Sequence, residues 1–373
     1  MMKYFIILLY FIAMLGILGG GTYYLAKRFA LFFPLIPFKG WFLGFICVTL
    51  LLMFGSQFFV VSSDLFGKII FILGAFWTAI LLYLLLSSVV LDLVNLVFKM
   101  SPIVRGTATL TLTALVIIYG AINASVLRVN EISVPVAGLT KEVKAVHVSD
   151  IHLGTFWGKQ HLEKIVNKVI ELNPDIILNT GDMFDSKAHF KENSDVLKYL
   201  DKIKVPHYFV YGNHDEHVGL NEVTSRMSNA GAIVLRNEIA YFGELQIIGL
   251  DNMLENENDF DMHTKLGAET IKSVMSKLPI EENKPAIILH HRPVGFEYMH
   301  AKHTDLVLTG HTHGGQLFPI TLIAKGVYGA YIKGLQKYND MSVYVSAGAG
   351  TIFMPLRLGT NSEVTLIKLV PKI

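Results

Sequence analysis

The stretch Asp305-Leu306-Val307-Leu308-Thr309-Gly310-His311-Thr312-His313-Gly314-Gly315 decides how this chain is read. Its aliphatic run predicts a buried strand, and its glycines end that strand where two histidines stand two positions apart. Alternate residues of an extended chain face the same way, so both imidazoles can be presented to one place. Four earlier stretches share this texture. Val143–Val148 runs into Ser149-Asp150-Ile151-His152, and Asp175–Leu178 runs into Asn179-Thr180-Gly181-Asp182, with Asp185 three positions on. His207–Tyr211 runs into Gly212-Asn213-His214-Asp215, and Ala286–Leu289 into His290-His291-Arg292-Pro293.

Each motif alone has a plain structural reading. Asp150-x-His152 could be a cap beside a surface histidine, and Gly212-Asn213-His214-Asp215 a turn, since Gly and Asn tolerate positive φ. His290-His291 could be a packed histidine before a rigid turn. Five such motifs in order, each at a strand end, read as one constellation. Helical patterns separate them: Lys159–Leu172, with Leu162, Ile165, Val166, Val169 and Ile170 at helical spacing, then Ser194–Ile203, Asn221–Asn229 and Thr264–Lys277. Glu244–Leu250, Met341–Ser346 and Glu363–Val370 read as further strands. The alternation predicts an α/β domain over residues 143–373, with two sheets face to face and helices outside. Ligand sites in open α/β sheets gather beyond the carboxyl ends of strands, which is where all five motifs fall.

Carboxylates mixed with imidazoles suit Mn, Fe or Zn, whereas an all-oxygen cage for Ca or Mg would not use so many histidines. A carboxylate bridging two cations ~3.5–4 Å apart brings the pKa of a bound water toward neutrality. The resulting hydroxide can attack phosphorus in line while a nearby histidine protonates the leaving oxygen.

On these motifs the chain resembles the calcineurin-like metallophosphoesterases, in particular a bacterial membrane-associated branch. The resemblance covers about Val143–Leu369, including Tyr344-Val345-Ser346-Ala347-Gly348-Ala349-Gly350, Pro355-Leu356-Arg357-Leu358-Gly359 and Glu363-Val364-Thr365-Leu366. It implies a four-layer α/β/β/α core and two divalent metal ions. It further implies that Asp150, His152, Asp182 and His313 hold one ion. Asp182, Asn213, His291 and His311 would hold the other, with Asp182 as the bridge. His214 would be the general acid, oriented by Asp185, and Asn213 and His214 would meet the phosphate. The family spacing His-x-Pro favours His291 over His290, and strand alternation sends those two side chains to opposite faces.

The first third of the chain differs from the rest. Of 373 residues 52% are apolar and only 17% charged, and residues 1–127 hold nine charged side chains and none of the 14 histidines. Tyr4–Ala26, Trp41–Val61, Ile69–Leu91 and Thr107–Leu127 lack any Asp, Glu, Lys, Arg or His. About 20 helical residues cross a ~30 Å hydrocarbon core, so four transmembrane helices are expected (about 4–26, 41–61, 69–91 and 107–127), with three the alternative. Residues 128–142 read as a linker. Phe29–Phe38 carries Pro34 and Pro37, cannot be a straight helix, and is expected at the membrane interface. Asn123-Ala124-Ser125 matches a glycosylation sequon whose position in or against the fourth span makes it idle. Lys27, Arg28, Lys39, Lys99 and Arg105 fall on one side against Lys3, Lys68 and Arg128 on the other, which places the polar domain outside the cytoplasm. Spans without carboxylates, basic residues or histidines anchor rather than transport.

A formal net charge of +2 lacks the basic excess of a nucleic-acid binder, and the single Cys47 permits no intrachain disulfide. The expected protein is an integral membrane phosphoesterase that hydrolyses a phosphate ester or pyrophosphate bond, with a lipid or lipid-linked substrate favoured by its location. Small soluble phosphoesters are the alternative. A catalytically silent receptor is disfavoured because no expected ligand is missing. Thr155-Phe156-Trp157 and Ile352-Phe353-Met354 are candidates to border the site and meet acyl chains. His147 and His207 read as packed, and His161, His189, His217, His263, His300 and His303 as solvated.

Overall fold

A computed structural model of the chain describes residues 2–59, 64–186, 190, 194–256 and 269–372. It divides into two compact units, Met1–Gly120 and Ala121–Ile373.

The first unit is helical: α1 (Met2–Phe32), α2 (Phe38–Val48), α3 (Leu65–Phe98) and α4 (Pro102–Ser125), the last running on into the second unit. Among the described residues two helices, α3 and α4, are long and apolar enough to cross a membrane, in place of the four expected spans. The stretch 41–61 is α-helical only to Val48, then loosens into a π turn over Thr49–Phe54 and tightens into a 3-10 turn over Gly55–Phe59. Tertiary contact explains the irregularity. A Cβ at Gly74 would lie 2.3 Å from the Leu52 carbonyl oxygen, so α3 meets the distorted turn backbone to backbone. Trp77 Nε1 also donates to Thr49 Oγ1 at 3.1 Å. Helix α1 continues through Phe32, and the prolines act after it: Pro34 lies in a turn and Pro37 caps α2. Because the helices outrun the uncharged stretches, they carry charge at their ends. Asp92 pairs with Arg28 at 2.6 Å and Arg105 at 3.4 Å, and accepts from the Tyr24 hydroxyl.

The second unit is built on two six-stranded sheets. One has the order β1 (Leu127–Val136), β12 (Ser362–Pro371), β2 (Val143–Val148), β3 (Ile176–Asn179), β4 (His207–Phe209), β5 (Ile233–Val234). The other runs β10 (Gly334–Tyr338), β11 (Met341–Val345), β9 (Leu306–Thr309), β8 (Ala286–Leu289), β7 (Leu245–Gly249), β6 (Glu238–Phe242). β2 to β5 are mutually parallel, as are β7, β8, β9 and β11, so the strands bearing the motifs end at a common edge of each sheet. The expected linker is largely strand: β1 pairs with β12 along ten residues, from Leu127↔Ser362 to Val136↔Pro371. Its partner lies over 230 positions away, so no local pattern announces it.

Period-two burial makes the four layers. Ala145, Ile176, Leu178, Ile287, Leu289, Leu306 and Leu308 face the cluster between the sheets. Their neighbours Val146 and Ile177 face outward onto α5 (Lys159–Glu171) and α6 (Asn213–Asn229). Ile288 and Val307 face α7 (Ile271–Lys277) and α8 (Phe296–His300). Strands covered on both faces explain the uninterrupted aliphatic runs. The expected helix at Ser194–Ile203 is a 3-10 helix over Ser194–Lys202, and α6 starts at Asn213 rather than Asn221, kinked at Gly219.

His161 is buried, not solvated, with its ring 4.3 Å from that of Trp157. His189 and His263 lie outside the described residues. Desolvation pushes His147 down to about 3 and His161 and His207 down to about 4. Unfolded histidine takes up its proton near pH 6.5, so between pH ~6.5 and ~4 the unfolded chain binds more protons and stability falls as pH falls. Roughly 1–2 kcal/mol per histidine should be lost by pH 5. Native-state hydrogen exchange over β2 and β4 should read this as weaker protection at pH 5 than at pH 7.5, after correction for intrinsic rates. His207→Leu should remove part of the dependence.

Candidate metal centre

Five strand ends deliver the polar residues. Asp150 and His152 follow β2, Asp182 and Asp185 follow β3, and Asn213 and His214 open α6 after β4. His290 and His291 follow β8, and His311 and His313 follow β9. The backbone bends sharply at these points: Asp150, His152, Asp182, His311 and His313 all have φ between 49° and 70°, the left-handed region that side-chain-bearing residues seldom occupy. Such strain persists only where surrounding contacts over-determine it. Glycines let the loops close. A Cβ at Gly310 would sit 2.0 Å from Ser149 Oγ and 2.1 Å from Asp150 Oδ2, and one at Gly212 would sit 2.0 Å from Asp182 Oδ1. Gly212 is extended, with φ −99°, so its part in the third motif is space rather than a turn.

Three groups of metal-capable donors converge: Asp150, His152 and His313; Asp150, Asp182 and His291; His152, Asp185 and His214. Asp182 Oδ2 lies 3.2 Å from His291 Nε2 and 3.7 Å from His152 Nε2, so one carboxylate reaches both halves of the site. His152 Nε2 and His313 Nε2 face each other at 3.0 Å, and His313 Nε2 is 3.4 Å from Asp150 Oδ1. His311 lies outside those groups, its Nδ1 2.9 Å from Asn213 Oδ1 and its ring 5.2 Å from that of His291.

Hydrogen bonds on the far side of each ring set the tautomers. His291 Nδ1 donates to the Thr180 carbonyl at 2.7 Å, which turns its buried Nε2 toward Asp182. His152 Nδ1 donates to Asp185 Oδ1 at 2.9 Å. Such outer partners orient a metal-binding imidazole and raise its basicity. His290 turns elsewhere, its Nδ1 on the Arg292 carbonyl at 2.7 Å, and burial holds it down at about 3.

Charge is tightly coupled here. Burial opposes charging His291, but the Asp182 carboxylate outweighs it and lifts the imidazole to about 9, while the same pairing holds Asp182 well below its usual range. Burial raises Asp150. Within the facing pair, burial and then His152 push His313 down, and the Asp185 hydrogen bond and nearby carboxylates raise His152 against its own burial.

The expected pairing of Asp185 with His214 takes another form. The Asp185 carboxylate holds His152, and it is the Asp185 backbone carbonyl that faces His214 Nδ1, at 3.3 Å. His214 N–H donates to Asp182 Oδ1 at 2.9 Å. Three buried residues that build the site had no assigned role. Ser149 Oγ donates to Asp150 Oδ2 at 2.5 Å. Asp215 accepts from Met183, Phe184 and Gly212 N–H, tying the second motif to the third, and burial with the Asp182 charge pushes it up to about 7. Its place in the first turn of α6 was a readable sign, since acidic residues there accept from helix-start N–H groups. Arg357 donates to four backbone carbonyls of two loops, as described below.

The donor set fits divalent cations: buried imidazole nitrogens and carboxylate oxygens converge, with His291 Nε2 turned into the cluster 3.2 Å from Asp182 Oδ2.

Comparison with known proteins agrees with the resemblance. The sequence pattern described as calcineurin-like phosphoesterase matches residues 143–315. A Helicobacter pylori "Uncharacterized metallophosphoesterase" is 31% identical over 66% of this chain and 64% of its own length. The Escherichia coli "Phosphodiesterase YaeI" is 30% identical over 61% of this chain and 82% of its own. A zebrafish "Transmembrane protein with metallophosphoesterase domain" is 31% identical over 70% of this chain and 61% of its own.

Proposed function

The chain belongs to the calcineurin-like phosphoesterase family, and on that premise we propose that it hydrolyses phosphoester bonds with two divalent cations. The observation that carries this reading is the single carboxylate of Asp182 placed between His291 and His152. Asp150, His152, Asp182 and His313 would hold one cation, and Asp182, Asn213, His291 and His311 the other, with Mn, Fe or Zn the chemically suited ions. When bound, the cations would neutralise the phosphoryl oxygens and supply a nucleophile from water. His214 does the protein's own proton work. Its Nδ1 donates to the Asp185 carbonyl and its backbone is fixed by Asp182, which leaves Nε2 to protonate the departing oxygen. The test is hydrolysis of bis-p-nitrophenyl phosphate by the full chain alongside metal analysis. About two transition ions per chain and activity abolished by chelation are expected, and activity in a thoroughly metal-stripped sample would overturn the proposal.

The apolar helices α3 and α4 support a membrane anchor. Read as a hairpin, they put Lys99 and Arg105 at its turn, where Arg28 joins them through Asp92, against Lys68 and Arg128 at the opposite ends. Cytoplasmic loops are rich in Lys and Arg, so the basic turn would be cytoplasmic and the metal centre outside. Labelling of engineered surface cysteines by an impermeant maleimide in intact cells tests this placement.

A membrane-borne phosphoester follows as the favoured substrate, since anchoring raises its effective concentration. The two apolar loop candidates divide in their support. Trp157 stacks on His161 and donates to Thr351 Oγ1 at 2.8 Å, a structural role. Phe353 is 62% exposed. Phe353→Ser should therefore slow a phosphatidyl ester in mixed micelles by about ten-fold while leaving bis-p-nitrophenyl phosphate unchanged. Equal loss on both would count against a lipid substrate.

A further inference from the structure

Helix α9 (Ile320–Tyr328) has no buried residue, although most of its side chains are apolar. Ile320, Ile323 and Val327 follow one another at helical spacing, are 44%, 68% and 72% exposed, and are flanked by Leu322 at 61%. A soluble surface rarely leaves such a set open without a use for it. Charge around it is one-sided. From Leu306 to Asn339 the sequence contains Lys325, Lys333 and Lys337 and no acidic residue. Apolar side chains edged by lysines are the marks of a helix lying in an anionic bilayer surface.

Its footing points to the same occupant. Gln316, just before α9, accepts from Leu358 N at its carbonyl (2.9 Å), and Phe318 N donates to the Leu358 carbonyl at 2.8 Å. The same loop is gripped by the last turn of α4, where Asn123 Nδ2 donates to the Arg357 and Thr360 carbonyls at 3.1 and 2.8 Å. One four-residue loop thus carries both the end of a membrane-length helix and the base of α9. At the other end of α9, the Tyr328 ring lies 6.3 Å from that of His311 in the metal centre. A protein partner would satisfy the exposed apolar face equally well, but it would explain neither the lysine bias nor the shared loop.

We propose that α9 is an in-plane membrane contact, seating Ile320, Leu322, Ile323 and Val327 in the headgroup region of an anionic bilayer and so holding the metal centre at the lipid surface. This deepens the membrane-anchored reading and rests on it. It makes the substrate class one whose phosphorus lies at headgroup depth.

The experiment uses the full chain with Cys47→Ser, reconstituted into phosphatidylglycerol nanodiscs and labelled with bimane at Ile323→Cys or, separately, at Leu115→Cys in α4. Lipids with a doxyl quencher near the headgroup should quench the Ile323 label about two-fold or more, lipids with the doxyl near the acyl-chain end should quench the Leu115 label, and neutral phosphatidylcholine or Lys325→Glu/Lys333→Glu should weaken the Ile323 quenching. If the Leu115 label is quenched and the Ile323 label is not, the in-plane contact is wrong and the anchor stands. If neither is quenched, the anchor itself fails and this proposal with it. An Ile323 emission shift that depends on protein concentration, without lipid quenching, would assign the face to a second copy and also overturn it.

Discussion

Asp182→Ala should abolish hydrolysis of bis-p-nitrophenyl phosphate, by about 10³-fold or more, and lower bound metal from two ions per chain to one or none. Three contacts converge on this carboxylate. Oδ2 faces His291 Nε2 at 3.2 Å and His152 Nε2 at 3.7 Å, and Oδ1 accepts from His214 N–H at 2.9 Å. Removing it separates the two halves of the donor set and releases the backbone of the general acid. It also withdraws the charge that does most to lift His291 to about 9, so burial is then opposed only by Asp150 and the Thr180 carbonyl and the imidazole's pKa falls. Asp182→Asn separates charge from geometry, because its amide oxygen can still accept from His214 while carrying no negative charge. Both variants should fold, because once Asp182 is gone the buried His291 can give up its proton rather than stay an unpaired charge. If Asp182→Ala kept both cations and its activity, the shared-carboxylate reading would be wrong.

Arg357→Met should act through stability instead. The guanidinium is fully buried and lies outside the donor set. Its Nη2 donates to the Ala347 and Gly350 carbonyls at 2.6 Å and to Gly348 at 3.1 Å; Nη1 donates to the His313 carbonyl at 3.3 Å and to Thr360 Oγ1 at 3.1 Å. Burial draws its pKa down to about 10, still charged at neutral pH. Leaving buried carbonyls without this donor should cost about 3–5 kcal/mol and lower Tm by roughly 10 °C. The site should loosen with it. Ala349 and Gly350 N–H donate to the Ser149 and Asp150 carbonyls at 2.9 and 2.7 Å, so the loop that Arg357 gathers seats the first metal motif. Arg357→Lys should recover little, because an ammonium cannot span the same fan of acceptors. Thermal melts and metal content measured together distinguish the variants: Asp182→Ala loses metal with little change in Tm of the metal-free protein, whereas Arg357→Met lowers both.

Much of this protein was legible in its sequence because the governing forces are local or periodic. Ala145, Val146, Ile176, Ile177, Ile287 and Ile288 alternate between two apolar environments, so runs without a polar face already implied covered sheets. The polar break at the end of each run placed the donors at strand ends, and their order from Asp150 to His313 made a shared centre the economical reading. Other features depend on what lies across a contact. Asp185 was assigned to His214, its neighbour by motif, but folding sets its carboxylate on His152 and leaves only a carbonyl for His214. β1 looked like a linker because its pairing strand is the last of the chain. The stretch 41–61 looked like a straight span because hydropathy cannot register the close backbone approach that Gly74 allows to the π turn at Thr49–Phe54.

Sequence by itself therefore determined the layers, the strand ends and the chemical class of the donors, since side-chain alternation and transfer to an apolar interior act residue by residue. Tertiary structure alone decided which nitrogen of His291 faces Asp182, which carboxylate steadies His152, and that a buried arginine draws the last loop beneath the first. Hydrogen bonds are directional and short-ranged, so their partners exist only once distant segments have been brought within about 3 Å of each other.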